Sequence, residues 1–173
     1  LTCEITTYRT EHYDHRSRKP EVEYGTSLAG DLGRRDFTVN AMAVRLPVQS
    51  FADPFVDLFG GVADLASGAL RTPGRPEDSF DDDPLRMMRA ARFTAQLGFT
   101  VAPDVVTAME QMADRLAIVS TERVRDEFSK LLLSPRPRPG LAILVDSGLA
   151  ETFLPELPAL RLEVDEHHRH KDV

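Results

Sequence analysis

Alternating polar and apolar positions predict that the chain opens with extended segments. Thr2–Arg9 alternates and is rich in Thr, Ile and Tyr, which is typical of a β-strand. Glu11–Pro20 is polar and has no periodicity, which indicates a mobile loop, and Glu21–Gly25 has the pattern of a short extended piece. We therefore expect strands at the start of the chain.

A helix is predicted next. Phe37, Ala41 and Val44 lie at helical spacing, so Asp31–Leu46 is expected to begin as a helix. Its last residues, Ala43–Leu46, are expected to run into a strand.

Three short segments follow. Ser50–Gly61 predicts an extended piece that ends in a turn, Gly61–Leu70 a short helix, and Leu70–Gly74 an extended piece that ends in a Pro-Gly turn. The pattern changes near this last turn, which indicates an N-terminal module with strands and a C-terminal module of helices.

Beyond Gly98 the pattern is helical to the end of the chain. Pro103 suits the first position of one helix, and Thr121 is suited to cap another. Three closely spaced prolines, Pro135, Pro137 and Pro139, predict a stiff break. A short helix at Pro139–Gly148 follows, and its final glycine suits a helix end.

The stretch Asp81–Phe93 combines a predicted helix start with three arginines. Pro84 suits the first helical position, so the three aspartates before it are expected where a helix begins. An apolar stripe follows at helical spacing: Leu85, Met88, Ala91 and Ala95. The arginines recur at every third position, Arg86, Arg89 and Arg92, which spreads them over roughly a third of the helix circumference. One interpretation is a capped, solvated helix with an Asp83–Arg86 ion pair, and the other is a functional site.

Composition excludes several classes of protein. The chain is 42% hydrophobic and 28% charged, and it has no apolar run of membrane-spanning length. Its one cysteine, Cys3, excludes an internal disulfide framework, so we expect a cytoplasmic protein. The net charge of −7 argues against a nucleic-acid partner. Arginines nevertheless concentrate in Arg16–Lys19, Arg34–Arg35 and Arg86–Arg92, so a local basic site is compatible with that charge.

Six segments carry a recognisable pattern. They are EITTYRTE (Glu4–Glu11), RRDFTVNAMA (Arg34–Ala43), DPFVDLFGGVADL (Asp53–Leu65), LRTPG (Leu70–Gly74), DDPLRMMRAARFTAQLGF (Asp82–Phe99) and TERVRDEFSKLL (Thr121–Leu132). In this order they closely resemble the class II nucleotidyltransferase family, which contains CCA-adding tRNA nucleotidyltransferases and bacterial poly(A) polymerases. The closing HHRHKDV resembles the entry to the HD-type domain of some bacterial CCA-adding members, which favours that branch.

The resemblance implies an α+β fold, in which a partial nucleotidyltransferase-like sheet is followed by an all-helical neck and body. Residues 1–74 are then the second half of a nucleotidyltransferase head domain, 75–150 the helical neck and RNA-binding body, and 151–173 the start of a C-terminal HD-type region. We expect the natural N-terminus and most of the HD-type region to lie outside this chain.

The resemblance also implies a nucleotide-binding site. Arg35 would contact the nucleotide, with Asp36 and Asn40 near its ribose. The positions on the neck helix that match the family's nucleotide-binding residues are Asp83, Arg86, Arg89 and Arg92. The family's usual Glu-Asp pair is Asp82-Asp83 here, so the base-reading aspartate is kept and its neighbour is one methylene shorter.

Hydrogen-bond chemistry explains why these residue types suit that site. Cytosine and adenine present an amino donor beside a ring-nitrogen acceptor, whereas uracil and guanine present the reverse. A carboxylate only accepts and a guanidinium only donates, so Asp83 with Arg86 matches C and A and leaves U and G mispaired. Such discrimination is large, because the wrong base leaves buried polar groups unpaired. Arg89 and Arg92 are suited to phosphate.

The metal-binding part of the family's active site is expected outside this chain. The Asp-x-Asp motif that holds two Mg²⁺ ions in the family belongs upstream of Leu1, so we expect the chain alone to be inactive. Glu4 is a candidate assisting carboxylate, and the alternative is an ordinary strand carboxylate. The three histidines His167, His168 and His170 are interpreted as a solvated tail, so no metal ligand is assigned.

The leading hypothesis is template-independent nucleotidyl transfer from CTP and ATP to the 3′ end of tRNA, with this chain carrying the nucleotide-reading part. Poly(A) addition uses the same motifs and differs in its product, a long A tract instead of a CCA triplet. A third hypothesis is a non-catalytic RNA-binding module in which the helices after Gly98 are the working part. In that case changes at Asp83 or Arg86 would leave nucleotide binding and RNA tailing untouched.

Overall fold

Residues 9–12, 21–24, 27–46 and 54–160 are described by the computed structural model. The strands are β1 (Arg9–His12), β2 (Glu21–Tyr24), β3 (Met42–Val44), β4 (Phe55–Asp57), β5 (Ala69–Leu70) and β6 (Thr100–Val101). The α-helices are α1 (Leu28–Gly33), α2 (Gly61–Ser67), α3 (Pro76–Asp82), α4 (Leu85–Leu97), α5 (Pro103–Met112), α6 (Thr121–Leu132), α7 (Pro137–Asp146), α8 (Leu149–Phe153) and α9 (Glu156–Ala159). Short 3₁₀ segments lie at Thr38–Asn40 and Ala113–Ile118. The predicted α+β class is confirmed.

The first two strands form an antiparallel pair in which Arg9 lies opposite Tyr24. The predicted extended piece after residue 20 is confirmed by β2. The predicted loop is wrong at Glu11 and His12, because these residues belong to β1 and pair with β2. The rest of that loop, and the predicted strand Thr2–Arg9 up to residue 8, lie outside the described residues.

The segment before β3 departs most from its predicted helix. α1 ends at Gly33, and the chain then turns through a 3₁₀ segment into β3, which pairs antiparallel with β4. Phe37 and Ala41 are fully buried, whereas Val44, the third residue of the helical spacing, is 55% exposed in β3. A continuous helix is excluded because the Thr38 N–H donates to the Arg71 carbonyl (2.8 Å) instead of to a carbonyl in the preceding turn. The predicted strand at the end of the segment is present.

The prediction of helix throughout the chain beyond Gly98 is also wrong. Residues 100 and 101 form β6, which runs parallel to β5 with Ala69 opposite Thr100. The Thr100 N–H donates to the Gly68 carbonyl (2.7 Å). Parallel neighbours require a long crossover connection, and α3 and α4 provide it here. The strand pair therefore fixes both ends of this helical connection.

Helix α4 supplies much of the core. Its predicted apolar stripe is buried along its whole length: Leu85, Met88, Ala91 and Ala95. Helices α6 and α7 pack against this helix. A side chain at Gly140 in α7 would put its Cβ 2.6 Å from the Ala91 carbonyl oxygen and 3.0 Å from the Ala95 Cβ. The close crossing of α4 and α7 therefore requires glycine at position 140.

The three aspartates before Pro84 do not share one helix start, which corrects the prediction. Asp81 and Asp82 lie at the end of α3, and Asp83 is extended, with φ −147° and ψ 98°. The Asp83 carboxylate accepts a hydrogen bond from the Leu85 N–H (3.2 Å) at the start of α4. Asp83 therefore lies in the joint between two helices.

The last helices differ from prediction at their starts. α7 begins at Pro137 rather than Pro139. The N–H groups of a first helical turn have no acceptor within the helix, so prolines in that turn remove no intrahelical hydrogen bond. Ser120, not Thr121, occupies the N-cap position of α6. Gly148 has φ 77° and follows α7 as predicted.

One cluster of buried side chains extends from Phe37 through Leu70 and Phe80 to Ala150. The predicted boundaries at residues 74 and 150 stay predictions, and the predicted histidine tail lies outside the described residues. Among the helices described here, none has both the length and the apolar character that crossing a membrane requires.

Candidate functional site

A cleft of about 620 Å³ opens between the segment after α1 and one face of α4. Its lining consists of Arg34, Arg35, Asp36, Asn40, Asp83, Arg86, Arg89, Arg92 and Phe93. All seven residues predicted to bind a nucleotide are in this lining, and Glu4 lies outside the described residues. Because arginines outnumber aspartates in it, the cleft is basic on a chain whose net charge is −7.

Asp36 connects the two walls of the cleft. One carboxylate oxygen accepts the Phe37 N–H (2.9 Å) and the Asn40 side-chain amide (3.0 Å). The other accepts Arg89 Nε (2.8 Å) and Arg89 Nη2 from α4. The Asp36 side chain is only 7% exposed, so these four donors replace the water that a carboxylate would otherwise bind. Asp36 therefore fixes Asn40 and Arg89 relative to each other.

Arg86 is held from both walls. Its Nη1 donates to the Ser79 hydroxyl (2.8 Å) and the Ser79 carbonyl (3.2 Å), and its Nη2 donates to the Arg34 carbonyl (2.6 Å). These three bonds use three of the five N–H donors of a guanidinium. Among the residues that the structure describes, the other two donors have no acceptor, so they are left for a ligand.

Asp83 pairs with Arg123 of α6 (2.8 Å) rather than with Arg86. The predicted i,i+3 ion pair is therefore wrong, and the reason is the bend between α3 and α4, which takes Asp83 out of helical geometry. The Asp83 side chain keeps 18% of its surface exposed. It faces the cleft as a hydrogen-bond acceptor.

Arg92 is more enclosed than Arg89, with a side chain 11% exposed against 34%. Its Nε donates to Glu127 (2.6 Å) and its Nη1 to Gln96 (2.7 Å). Glu127 also accepts from Lys130 (2.9 Å). Burial alone would raise the pKa of Glu127, but the Lys130 hydrogen bond and the Arg92 charge outweigh it and lower that pKa below its usual range. Glu127 is therefore ionised and anchors Arg92.

Phe93 gives the cleft an apolar surface between two cations. The Arg92 guanidinium carbon lies 4.2 Å from the ring centroid, and that of Arg89 lies 5.6 Å away. The ring packs edge-to-face on Phe37 at 5.7 Å. Cation–π contacts of this kind hold the guanidinium groups in place.

Arg34 and Arg35 enter the cleft from the end of α1. Both donate to the buried Asp31 carboxylate, at 2.7 Å and 3.1 Å. Arg35 keeps 45% of its side chain exposed. Asp31 thus places two positive charges at one edge of the cleft.

Several contributing residues were not among the predicted site residues. Arg34 and Phe93 belong to the lining, and Asp31, Ser79, Gln96, Arg123 and Glu127 hold lining side chains in place. Phe93 follows Arg86 by seven residues and Arg89 by four, so helical spacing places it on their face and a signal was available. Ser79 and Arg123 contact the site from other helices, and the sequence carries no periodic signal for either.

In the part of the chain that the structure describes, no group of three or more His, Cys, Asp or Glu side chains is placed to hold a metal ion. Both oxygens of Asp36 and both of Asp83 already accept hydrogen bonds from the protein. Each Asp83 oxygen keeps capacity for one further hydrogen bond from a ligand in the cleft.

Two protein families match the chain. The family described as "Poly A polymerase head domain" matches residues 1–71, and the one described as "Probable RNA and SrmB- binding site of polymerase A" matches residues 98–160. The CCA-adding enzyme of Streptococcus gordonii is 43% identical over 165 residues, and that of Bacillus subtilis is 45% identical over 160 residues. The chain belongs to the family of CCA-adding enzymes and poly(A) polymerases.

CCA-adding enzymes also share its fold. The crystal structure of the Bacillus stearothermophilus CCA-adding enzyme in complex with CTP superposes with a TM-score of 0.76 at 37% identity, over 90% of this chain and 37% of that one. The Thermotoga maritima CCA-adding enzyme complexed with tRNA-CCA gives 0.68 at 31% identity, over 75% of this chain and 31% of that one.

The matches to the Streptococcus and Bacillus subtilis enzymes cover 94% and 91% of this chain. The chain spans only 40% and 38% of the length of these two relatives.

Proposed function

We propose that this chain is the nucleotide-reading part of a cytoplasmic enzyme that transfers nucleotides from CTP and ATP to the 3′ end of tRNA. One observation carries the proposal: Asp83 and Arg86 face the same basic cleft, one able only to accept hydrogen bonds and the other only to donate them. Solved relatives in complex with CTP and with tRNA-CCA support it.

The pair selects a base by its hydrogen-bonding edge. A carboxylate oxygen of Asp83 accepts from the exocyclic amino group of cytosine or adenine. One of the two uncommitted N–H donors of Arg86 binds the adjacent ring nitrogen. Uracil and guanine place an N–H next to the Arg86 guanidinium and a carbonyl next to the Asp83 carboxylate. Donor then meets donor and acceptor meets acceptor, so both contacts become repulsive.

The arginines of the cleft bind the triphosphate. Arg35 keeps 45% of its side chain exposed, and Arg89 keeps about a third exposed beside the Asp36 carboxylate. Arg92 adds its charge from the floor of the cleft. Asn40, held by Asp36, lies where the ribose is expected. Together these side chains orient the nucleotide and displace water from it.

Divalent cations, which we take to be Mg²⁺, would neutralise the triphosphate and activate the attacking hydroxyl when bound. Their ligands are expected on segments upstream of Leu1, with Glu4 as a candidate assisting carboxylate. This chain contributes recognition and positioning.

The test is transfer from labelled CTP, ATP, UTP and GTP to tRNA that lacks its CCA end, with the complete enzyme and with the 173-residue chain. We expect the complete enzyme to add C, C and A and to stop, and the chain alone to bind CTP without transfer. Sequencing of the products separates CCA addition from poly(A) addition. A complete enzyme that binds tRNA but adds no nucleotide would make the chain an RNA-binding module instead.

A further inference from the structure

We propose that Ser79 is a positioning residue that gives the cleft its preference for cytosine and adenine by fixing Arg86 against the base. This inference rests on the proposed function of the Asp83–Arg86 pair and adds to it a residue outside the cleft. Ser79 lies in α3, is 8% exposed, and has no place in the cleft lining.

Ser79 contacts both members of the pair. Its hydroxyl and its carbonyl accept from Arg86 Nη1, at 2.8 Å and 3.2 Å. The same carbonyl accepts the backbone N–H of Asp83 (3.2 Å), which ends α3. Ser79 therefore fixes the backbone position of Asp83 and the position of the Arg86 guanidinium.

Two anchors fix the orientation of a planar guanidinium better than one. The Arg34 carbonyl binds Nη2 at 2.6 Å from the opposite wall, and Ser79 binds Nη1. With both in place, the two remaining donors keep one direction relative to Asp83. Without the Ser79 hydroxyl, Nη1 keeps only its longer bond to the Ser79 carbonyl (3.2 Å). The guanidinium is then held less firmly and has more freedom to rotate about its Nη2 contact.

Rotation would reduce selectivity more than it reduces binding. A fixed guanidinium opposes the ring N–H of uracil, donor against donor. A mobile one can shift to a uracil carbonyl instead, because carbonyls accept and a guanidinium has several donors. By fixing Arg86, the Ser79 hydroxyl weakens the binding of uracil. Rejection of the wrong base in this way gives specificity to a site that has no template strand.

The experiment compares Ser79→Ala, Ser79→Thr and Ser147→Ala in the complete enzyme. Ser147 is a matched control: it is 5% exposed, and its hydroxyl donates to the Ile143 carbonyl (2.7 Å) in α7. The measured quantity is the ratio of kcat/KM for CTP to that for UTP, with the melting temperature of each variant. A hydrogen bond to a charged group is worth enough for a change of about tenfold.

We expect Ser79→Ala to lower the CTP/UTP ratio about tenfold at a nearly unchanged melting temperature. Ser79→Thr, which keeps the hydroxyl, should retain the ratio, and so should Ser147→Ala. An unchanged ratio in Ser79→Ala, with a ratio that collapses in Arg86→Ala, overturns the role of Ser79 and leaves the proposed function intact. A wild-type enzyme with no preference for CTP overturns both.

Discussion

The carboxylate of Asp36 and the guanidinium of Arg89 form a largely buried ion pair across 53 residues of sequence. It joins the segment after α1 to α4 and so sets the width of the cleft. Removing Asp36 leaves Arg89, which is only a third exposed, without its partner, and it also removes the acceptor of the Phe37 N–H and the Asn40 amide. The combined cost is roughly 2–3 kcal/mol. We therefore predict that Asp36→Ala lowers the free energy of unfolding by about this amount and raises KM for CTP.

Denaturant unfolding and steady-state kinetics of the complete enzyme test this. Asp126→Ala is the control, because the Arg125–Asp126 pair is exposed on both sides. Its loss should cost less than about 1 kcal/mol. Equal effects of the two substitutions would contradict the role given to Asp36.

The crossing of α4 and α7 yields a packing prediction. Gly140→Ala should destabilise the protein by about 2 kcal/mol, because the added methyl meets the Ala91 carbonyl at 2.6 Å. Gly74→Ala is the matched control, since a Cβ there meets nothing within 4 Å. Thermal melting of both variants tests this. A loss of stability in Gly140→Ala alone indicates a local clash, whereas an equal loss in both variants would contradict it.

The ionisation of Glu127 is expected to make the free energy of unfolding depend on pH. Its lowered pKa means that its pairing stabilises the folded protein above the ordinary glutamate pKa of about 4.3, and that this contribution is lost as pH falls through the lowered value. Glu127→Gln should therefore be less stable than the wild type at pH 6. The difference should shrink as the pH approaches 3. Urea unfolding across this range measures it, and a constant difference would show that Glu127 does not titrate as described.

Arg123, in α6, is expected to affect the use of CTP and ATP through its contact with Asp83. It holds Asp83 at 2.8 Å while its own side chain is 53% exposed. Arg123→Ala should lower kcat/KM for CTP and ATP about threefold, in line with a solvent-exposed ion pair. Arg125→Ala removes a neighbouring arginine that pairs with Asp126 and should leave these constants unchanged.

The sequence predicted those parts of the molecule that depend on local spacing. The apolar stripe of α4 and the turn at Gly148 follow from helical periodicity and from glycine's conformational freedom. The residues predicted to bind a nucleotide came from a family resemblance, and the hydrogen-bond chemistry of Asp83 and Arg86 gives that prediction its physical reason. All seven lie in one cleft.

The errors arise where distant contacts override local patterns. The predicted helix after Asp31 ends early because Thr38 bonds to Arg71, and β6 exists because β5 offers it a parallel partner. The Asp83–Arg86 ion pair is absent because Asp83 lies in the bend before α4 and pairs with Arg123, forty residues away. No window of sequence contains these partners, so local reasoning could not supply them.

The most direct measurement is the nucleotide preference of Asp83→Ala in the complete enzyme. The variant should fold almost as stably as the wild type, because Arg123 is exposed enough to stay solvated when Asp83 is removed. We predict that the ratio of kcat/KM for CTP to that for UTP falls by about 100-fold, since the acceptor for the amino group is gone. A variant that still prefers CTP as strongly as the wild type would contradict base reading by Asp83.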